Sequence, residues 1–145
     1  MLIKLVAVGK LRDRFIADRC AEYARRLGAY AKFDCIELPD SDPVGEGRAI
    51  LREIEHERDA WPVALSEEGM EFTTAAMAGK LAALDRKALF IIGGPFGLVP
   101  EVKNRCRLVW SLSRLTFPHE IARLLFYEQL YRMLNFNHGG SYHHS

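Results

Sequence analysis

Ala88 to Gly97 reads ALFIIGGPFG. An unbroken apolar run enters a turn of Gly93, Gly94, Pro95, Phe96 and Gly97, so the stretch predicts a buried strand ending at a strand-to-helix connection. Missing side chains in such a turn let backbone N–H and C=O groups approach a ligand closely. The order G-G-x-x-G is not the G-x-G-x-x-G of a dinucleotide fingerprint. Nor does an acidic residue about 20 positions on complete a ribose site, Glu120 lying farther along at a helix start.

Outward from this strand, elements alternate. Leu2 to Gly9 (LIKLVAVG) is a β-branched apolar strand, and Ile16, Cys20, Tyr23 and Leu27 recur at helical spacing within Arg12 to Gly28. Phe33 to Leu38 predicts a second strand, and Asp40 to Gly47 a polar turn before a helix over Arg48 to Arg58. Pro62 to Leu65 makes a third, short strand, and Thr73 or Thr74 caps a helix running to Asp85. Beyond the glycine turn, Val109 to Leu112 forms a fifth strand. The last helix starts near Pro118 and runs to about Asn135, with Glu120 set against the positive end of its dipole. This alternation predicts one α/β domain over residues 1–145, with a mostly parallel sheet of five or six strands and helices on both faces.

The composition, 49% apolar and 27% charged, suits a globular chain with one core. No transmembrane span or secretory signal is read, so a cytoplasmic protein without membrane partners is expected. Cys20, Cys35 and Cys106 are odd in number and lack C-x-x-C spacing, which predicts core residues rather than disulfides or a metal site. A formal net charge of +1 excludes a globally basic surface, so any nucleic-acid site must be a local patch. Lys10, Arg12, Arg14, Arg25, Arg26 and Lys32 are the candidates for it.

Ile121, Leu124, Leu125, Phe126, Tyr127, Leu130, Tyr131, Met133 and Leu134 leave the last helix almost no polar face, which predicts that a second subunit covers it in a homodimer. Trp110 to His119 (WSLSRLTFPH) interleaves hydroxyls with Leu112, Leu115 and Phe117, a loop able to offer backbone groups to an adenine edge and apolar groups to its faces. Leu65 adds apolar wall at the end of the third strand.

LIKLVAVG at Leu2 to Gly9, LFIIGGPFGL at Leu89 to Leu98, WSLSRLTFPH at Trp110 to His119, EQLYR at Glu128 to Arg132, and a tail with Asn137, His138, Tyr142 and His143 stand in order along the whole chain. Together they closely resemble the small ribosomal RNA methyltransferases of the SPOUT superfamily that modify a pseudouridine in 23S rRNA. The resemblance implies a C-terminal trefoil knot, a rare exception to unknotted topology, whose loops hold S-adenosylmethionine. The cofactor contacts it implies fall on Leu65, Gly93, Leu112, Ser113, Arg114, Leu115, Thr116 and Phe117. A homodimer is implied as well, as is methyl transfer to N3 of a pseudouridine in the large-subunit stem-loop facing the decoding region. The substrate is then 23S rRNA in the large subunit or the assembled 70S ribosome.

The tail departs from the family's Asn-His-Pro-Tyr-His-Arg pattern, running Asn137, His138, Gly139, Gly140, Ser141, Tyr142, His143, His144, and Phe96 stands at an often acidic position of the glycine turn. Methylating an imino nitrogen requires an acceptor for its proton, and His119 and His143 are the candidates because histidine accepts protons near neutral pH. Arg132, four residues after Glu128, forms a helix-stabilising pair with it or reaches a phosphate or base carbonyl. Tyr142 sits in a tail without a core of its own, where it is expected to stay free to stack on an unstacked base. The tail is expected to fray without RNA. The altered tail also keeps open a non-enzymatic nucleotide-binding or ribosome-associating module; the absent fingerprint disfavours a dinucleotide oxidoreductase.

Overall fold

The computed structural model describes residues 1–144; Ser145, the last residue of the predicted domain, lies outside the described residues. Among the described residues five strands, β1 (Leu2–Val8), β2 (Lys32–Leu38), β3 (Trp61–Glu71), β4 (Ala88–Ile92) and β5 (Leu108–Ser111), alternate with five helices. The helices are α1 (Arg14–Leu27), α2 (Pro43–His56), α3 (Thr74–Ala82), α4 (Pro100–Arg105) and α5 (His119–Asn137). The sheet has the order β2-β1-β4-β3-β5 and every pairing is parallel.

Side chains alternate across a strand, so the sheet divides the core in two. Ile3, Leu5, Ala7, Phe90 and Ile92 face one way and pack with residues of α1, α3 and α5. Val6, Val8, Leu89 and Ile91 face the other way, against Ile50 and Ile54 of α2 and Val102 of α4. β4 is buried at every position, as its continuous apolar run demands in a parallel sheet covered on both sides. Among the described residues no helix is long and apolar enough to cross a membrane.

Local differences from the sequence reading have physical causes. Asp42 and Pro43 already start α2, the Asp42 carboxylate accepting the Gly45 N–H at 3.1 Å, so the supposed turn over Asp40 to Gly47 is largely helical. Gly47 belongs in that helix because a Cβ there would meet Val99 Cγ2 at 2.7 Å; its absence lets the loop ahead of α4 come close. The six-residue α4 was not foreseen, since with Val102 alone buried it has too few turns for a periodic pattern. β3 outruns its predicted end at Leu65: pairing with β5 breaks there and resumes at Met70, the residues between forming a bulge. Gly69 is needed to close it, as a Cβ would run into the Val109–Trp110 backbone.

The apolar surface of the last helix is met in part within one chain. Phe126, Leu130, Met133 and Leu134 are all buried within the single chain, where α5 lies between α1, α3 and the sheet. Ile121, Leu124, Leu125 and Tyr131 stay only partly buried, so the single chain covers one side of the helix and leaves part of its apolar surface open.

Candidate active site

The bulge of β3 and the carboxyl ends of β4 and β5 open into one cavity of about 460 Å³, within the roughly 300–1,000 Å³ common for small-molecule sites. The crevice outside the carboxyl ends of parallel strands is where such sheets bind ligands. Three segments build it. The β3 bulge contributes Leu65, Ser66 and Glu67; the turn after β4 contributes Gly93 to Gly97. The loop after β5 contributes Leu112, Ser113, Leu115, Thr116 and Phe117, with His119 at the start of α5. Phe96 and Leu115 stand exposed at the rim.

Seven of the eight residues expected at the cofactor therefore line one cavity, and Arg114 does not. It points outward, pairing with Glu71 at 2.9 Å while its side chain stays 79% exposed. Two hydrogen bonds shape the loop: Ser111 Oγ donates to the Ser113 carbonyl at 2.8 Å, and Ser113 Oγ accepts the Leu115 N–H at 3.0 Å. The glycine turn is closed by the Gly97 N–H on the Gly94 carbonyl at 3.0 Å, with Gly97 at φ +73°. A Cβ on Gly93 would meet the Gly97 carbonyl oxygen at 2.8 Å, so Gly93 is required by the turn's own backbone rather than by a ligand approaching it.

Glu120, read from the sequence only as a helix-dipole partner, and Arg123, which sequence reasoning missed, fasten the start of α5 to the loop after β1 and to the sheet. Glu120 accepts the backbone N–H groups of Arg12 and Asp13 at 2.9 and 3.0 Å, bringing the exposed Lys10, Arg12 and Arg14 to the cavity end of the helix. Arg123, 6% exposed, pairs with Glu37 at 2.7 Å and donates to the Gly9 carbonyl at 3.3 Å. A buried arginine directly after Ala122 of the cavity wall has no periodic signature, because the stripe it interrupts is otherwise apolar. Cys20 lies in the core, and burial pushes the thiols of Cys20 and Cys106 up to about 11, which leaves them protonated and unreactive. Among the described residues no cluster is arranged to hold a metal.

Arg132, Tyr142 and His143 form a second cluster. The Arg132 guanidinium is bonded to Glu128, stacks 4.8 Å from the Tyr142 ring centroid and lies 3.3 Å from His143 Nδ1. Tyr142 is not free: its hydroxyl is 3.3 Å from that of Tyr23, its ring meets Tyr131 edge-on at 4.9 Å, and its N–H donates to Asn135 Oδ1 at 3.1 Å. Burial, with the Tyr23 hydroxyl and the Glu128 charge, pushes its phenol up to about 12. The expected fraying is thus replaced by a tail folded back on α5. Gly139 at φ +74° and Gly140, whose Cβ would overlap the Asn135 amide, permit that reversal. Arg26 stacks beside the cluster, over Tyr23 and Tyr131, and with Arg25 is bonded to Glu22. His119 and Arg132 are thirteen residues apart on one helix, about 20 Å at 1.5 Å per residue, so one subunit does not unite the four expected catalytic residues.

Residues 1–143 match a family model described as "Predicted SPOUT methyltransferase". The chain belongs to the SPOUT methyltransferase family. Among its curated SPOUT relatives is the ribosomal RNA large subunit methyltransferase H of Gloeobacter violaceus, 42% identical over 152 residues and covering 99% of each chain. The protein of the same name from Heliobacterium modesticaldum is 38% identical, covering 97% of this chain and 98% of its own. A solved probable methylase family protein from Haemophilus influenzae shares the fold with a TM-score of 0.61 at 14% identity, over 99% of this chain and 70% of that one. The SpoU methyltransferase AviRb from Streptomyces viridochromogenes, solved in complex with the cofactor AdoMet, gives 0.53 at 11% identity, over 97% and 59%. The SPOUT match runs through Tyr142 and His143, so the rebuilt tail lies inside the family's span.

Proposed function

We propose that this chain is a cytoplasmic homodimer that transfers a methyl group from S-adenosylmethionine to N3 of a pseudouridine in 23S rRNA, within the large subunit or the assembled 70S ribosome. The observation that carries the reading is the convergence of the β3 bulge, the glycine turn and the loop after β5 on one cavity. The residues present fit the cofactor. Leu65, Leu112 and Phe117 supply apolar wall for an adenine, while the loop backbone and the Ser113 and Thr116 hydroxyls supply polar partners. The side-chain-free turn at Gly93 to Gly97 leaves room for the rest. Arg114 stands in this reading as a loop residue that contributes its backbone only. The reading includes a trefoil knot in the C-terminal part of the chain, supported by the adjacency of turn and loop.

S-adenosylmethionine supplies an electrophilic methyl group on a sulfonium. The protein's task is to hold the target nitrogen in line with that methyl, where positioning contributes roughly 7–11 kcal/mol, and to accept its proton. His119 lines the cavity and is the base of this reading. The separation of His119 from Arg132, Tyr142 and His143 favours a site shared between subunits, one subunit's tail closing the other's cavity. Lys10, Arg12 and Arg14 are the phosphate contacts of this reading, Arg12 holding only a long, exposed pair with Asp40 at 3.8 Å, whereas Arg25 and Arg26 are closely engaged by Glu22. Calorimetry with S-adenosylmethionine together with methyl transfer to ribosomes tests the proposal; binding without transfer would favour a non-enzymatic module.

A further inference from the structure

Glu46, in the first turn of α2, is 3% exposed. Its Oε2 accepts the Ser41 N–H at 3.0 Å, while Oε1 has no hydrogen-bond partner among the described residues. The carboxylate lies against the glycine turn from behind: a Cβ on Gly94 would stand 3.4 Å from Oε1 and 3.6 Å from Oε2. Gly94 itself lines the cavity, so one thickness of backbone separates a buried carboxylate from the bound ligand's space. Gly94 has no side chain to interpose, and no cation pairs with Glu46 among the described residues.

An unpaired carboxylate in the interior is costly, and the bond to Ser41 accounts for only one of its oxygens. Low-dielectric surroundings that make it costly also leave its field unscreened across the turn. A ligand carrying positive charge on the far side of Gly94 is the partner that offsets the cost.

Resting on the reading of the cavity as the S-adenosylmethionine site, we propose that Glu46 sets its charge preference, favouring the cationic cofactor over its neutral product. When the methyl moves, the S–CH3 bond breaks with its electron pair left on sulfur, an N–CH3 bond forms, and the N–H proton leaves to the base. S-adenosylhomocysteine therefore carries one positive charge fewer than S-adenosylmethionine, while its adenosine, amino and carboxylate groups are the same. The attraction to Glu46 ends with the transfer, which assists product release and exchange for fresh cofactor.

The test is titration calorimetry of the native chain and Glu46→Gln with both ligands. Glutamine keeps an acceptor for Ser41 and removes the charge. S-adenosylmethionine affinity is expected to fall about tenfold in the variant, with S-adenosylhomocysteine changed less than about twofold. A purely structural Glu46 would move both ligands together or neither, and either result overturns the proposal. Should Glu46→Gln not fold, the native chain decides. It must bind S-adenosylmethionine and sinefungin, whose amine is cationic near the methyl position, more tightly than S-adenosylhomocysteine; equal affinity for all three overturns the proposal while leaving the pocket reading intact. Absence of binding by any of them overturns both.

Discussion

Arg123 Nη2 lies 2.7 Å from Glu37 Oε2, with the arginine side chain 7% exposed and the glutamate 34%. The pair joins α5, next to Ala122 of the cavity wall, to the end of β2. Removing the guanidinium leaves Glu37 and the Gly9 carbonyl without it, so Arg123→Ala is predicted to cost about 2 kcal/mol, below the value for a fully buried pair because Glu37 reaches solvent. Denaturant unfolding measures this; a loss under about 0.5 kcal/mol would show the pair to be incidental.

Gly93 and Gly97 are predicted to fail in different ways. Gly93→Val drives a side chain into the Gly97 carbonyl, which breaks the turn and should abolish S-adenosylmethionine binding along with about 1–3 kcal/mol of stability. At Gly97 a Cβ meets nothing within 4 Å, but φ is +73°. Gly97→Ala should therefore cost about 1–2 kcal/mol from backbone strain alone and retain measurable cofactor binding. Calorimetry and thermal unfolding on both variants check the contrast, which is lost if Gly93→Val binds normally.

Leu125 and Leu134 separate dimerisation from folding. Leu134 is 2% exposed in the chain's own core, whereas Leu125 is only partly buried. A charge at Leu134 should unfold the chain, at a cost above about 3 kcal/mol. Leu125→Asp should leave a folded protein whose dimer is weakened in sedimentation equilibrium. A native chain that sediments as a monomer contradicts the dimer itself.

Much of this was legible in the sequence. The apolar run at Ala88 to Ile92 announced a doubly covered strand, and the residues of β1 and α1 kept their periodicities, because burial on a known face leaves a regular trace. The cavity's walls were legible through the resemblance at Leu65, Gly93 and the loop to Phe117. What was not legible depends on tertiary contact. Gly47 looked like a turn residue until Val99 was seen to need its missing Cβ, and Arg123 and Glu46 are buried charges whose roles depend on distant backbone. Tyr142 looked free because its partners, Tyr23 and Arg132, lie on two helices whose approach no local pattern encodes.

The phenol of Tyr142 gives the tail a pH signature. Its pKa rises from 10.0 to about 12 in the folded chain, so the fold favours the neutral form. Stability from that preference is complete below pH 10 and is lost as pH climbs through about 12. Tyr142→Phe cannot titrate, so the stability difference between native and variant chains should shrink across that window. A difference independent of pH would mean that the tail does not hold the phenol in solution.

Methyl transfer is tested by mass spectrometry of 23S rRNA after incubating the purified chain with S-adenosylmethionine and ribosomes from a strain lacking the gene. One added methyl is expected, on N3 of a pseudouridine in the large subunit, and transfer should fall by orders of magnitude on truncation after Gly140 with cofactor affinity nearly unchanged. Unmodified rRNA from a folded chain that binds S-adenosylmethionine would contradict it.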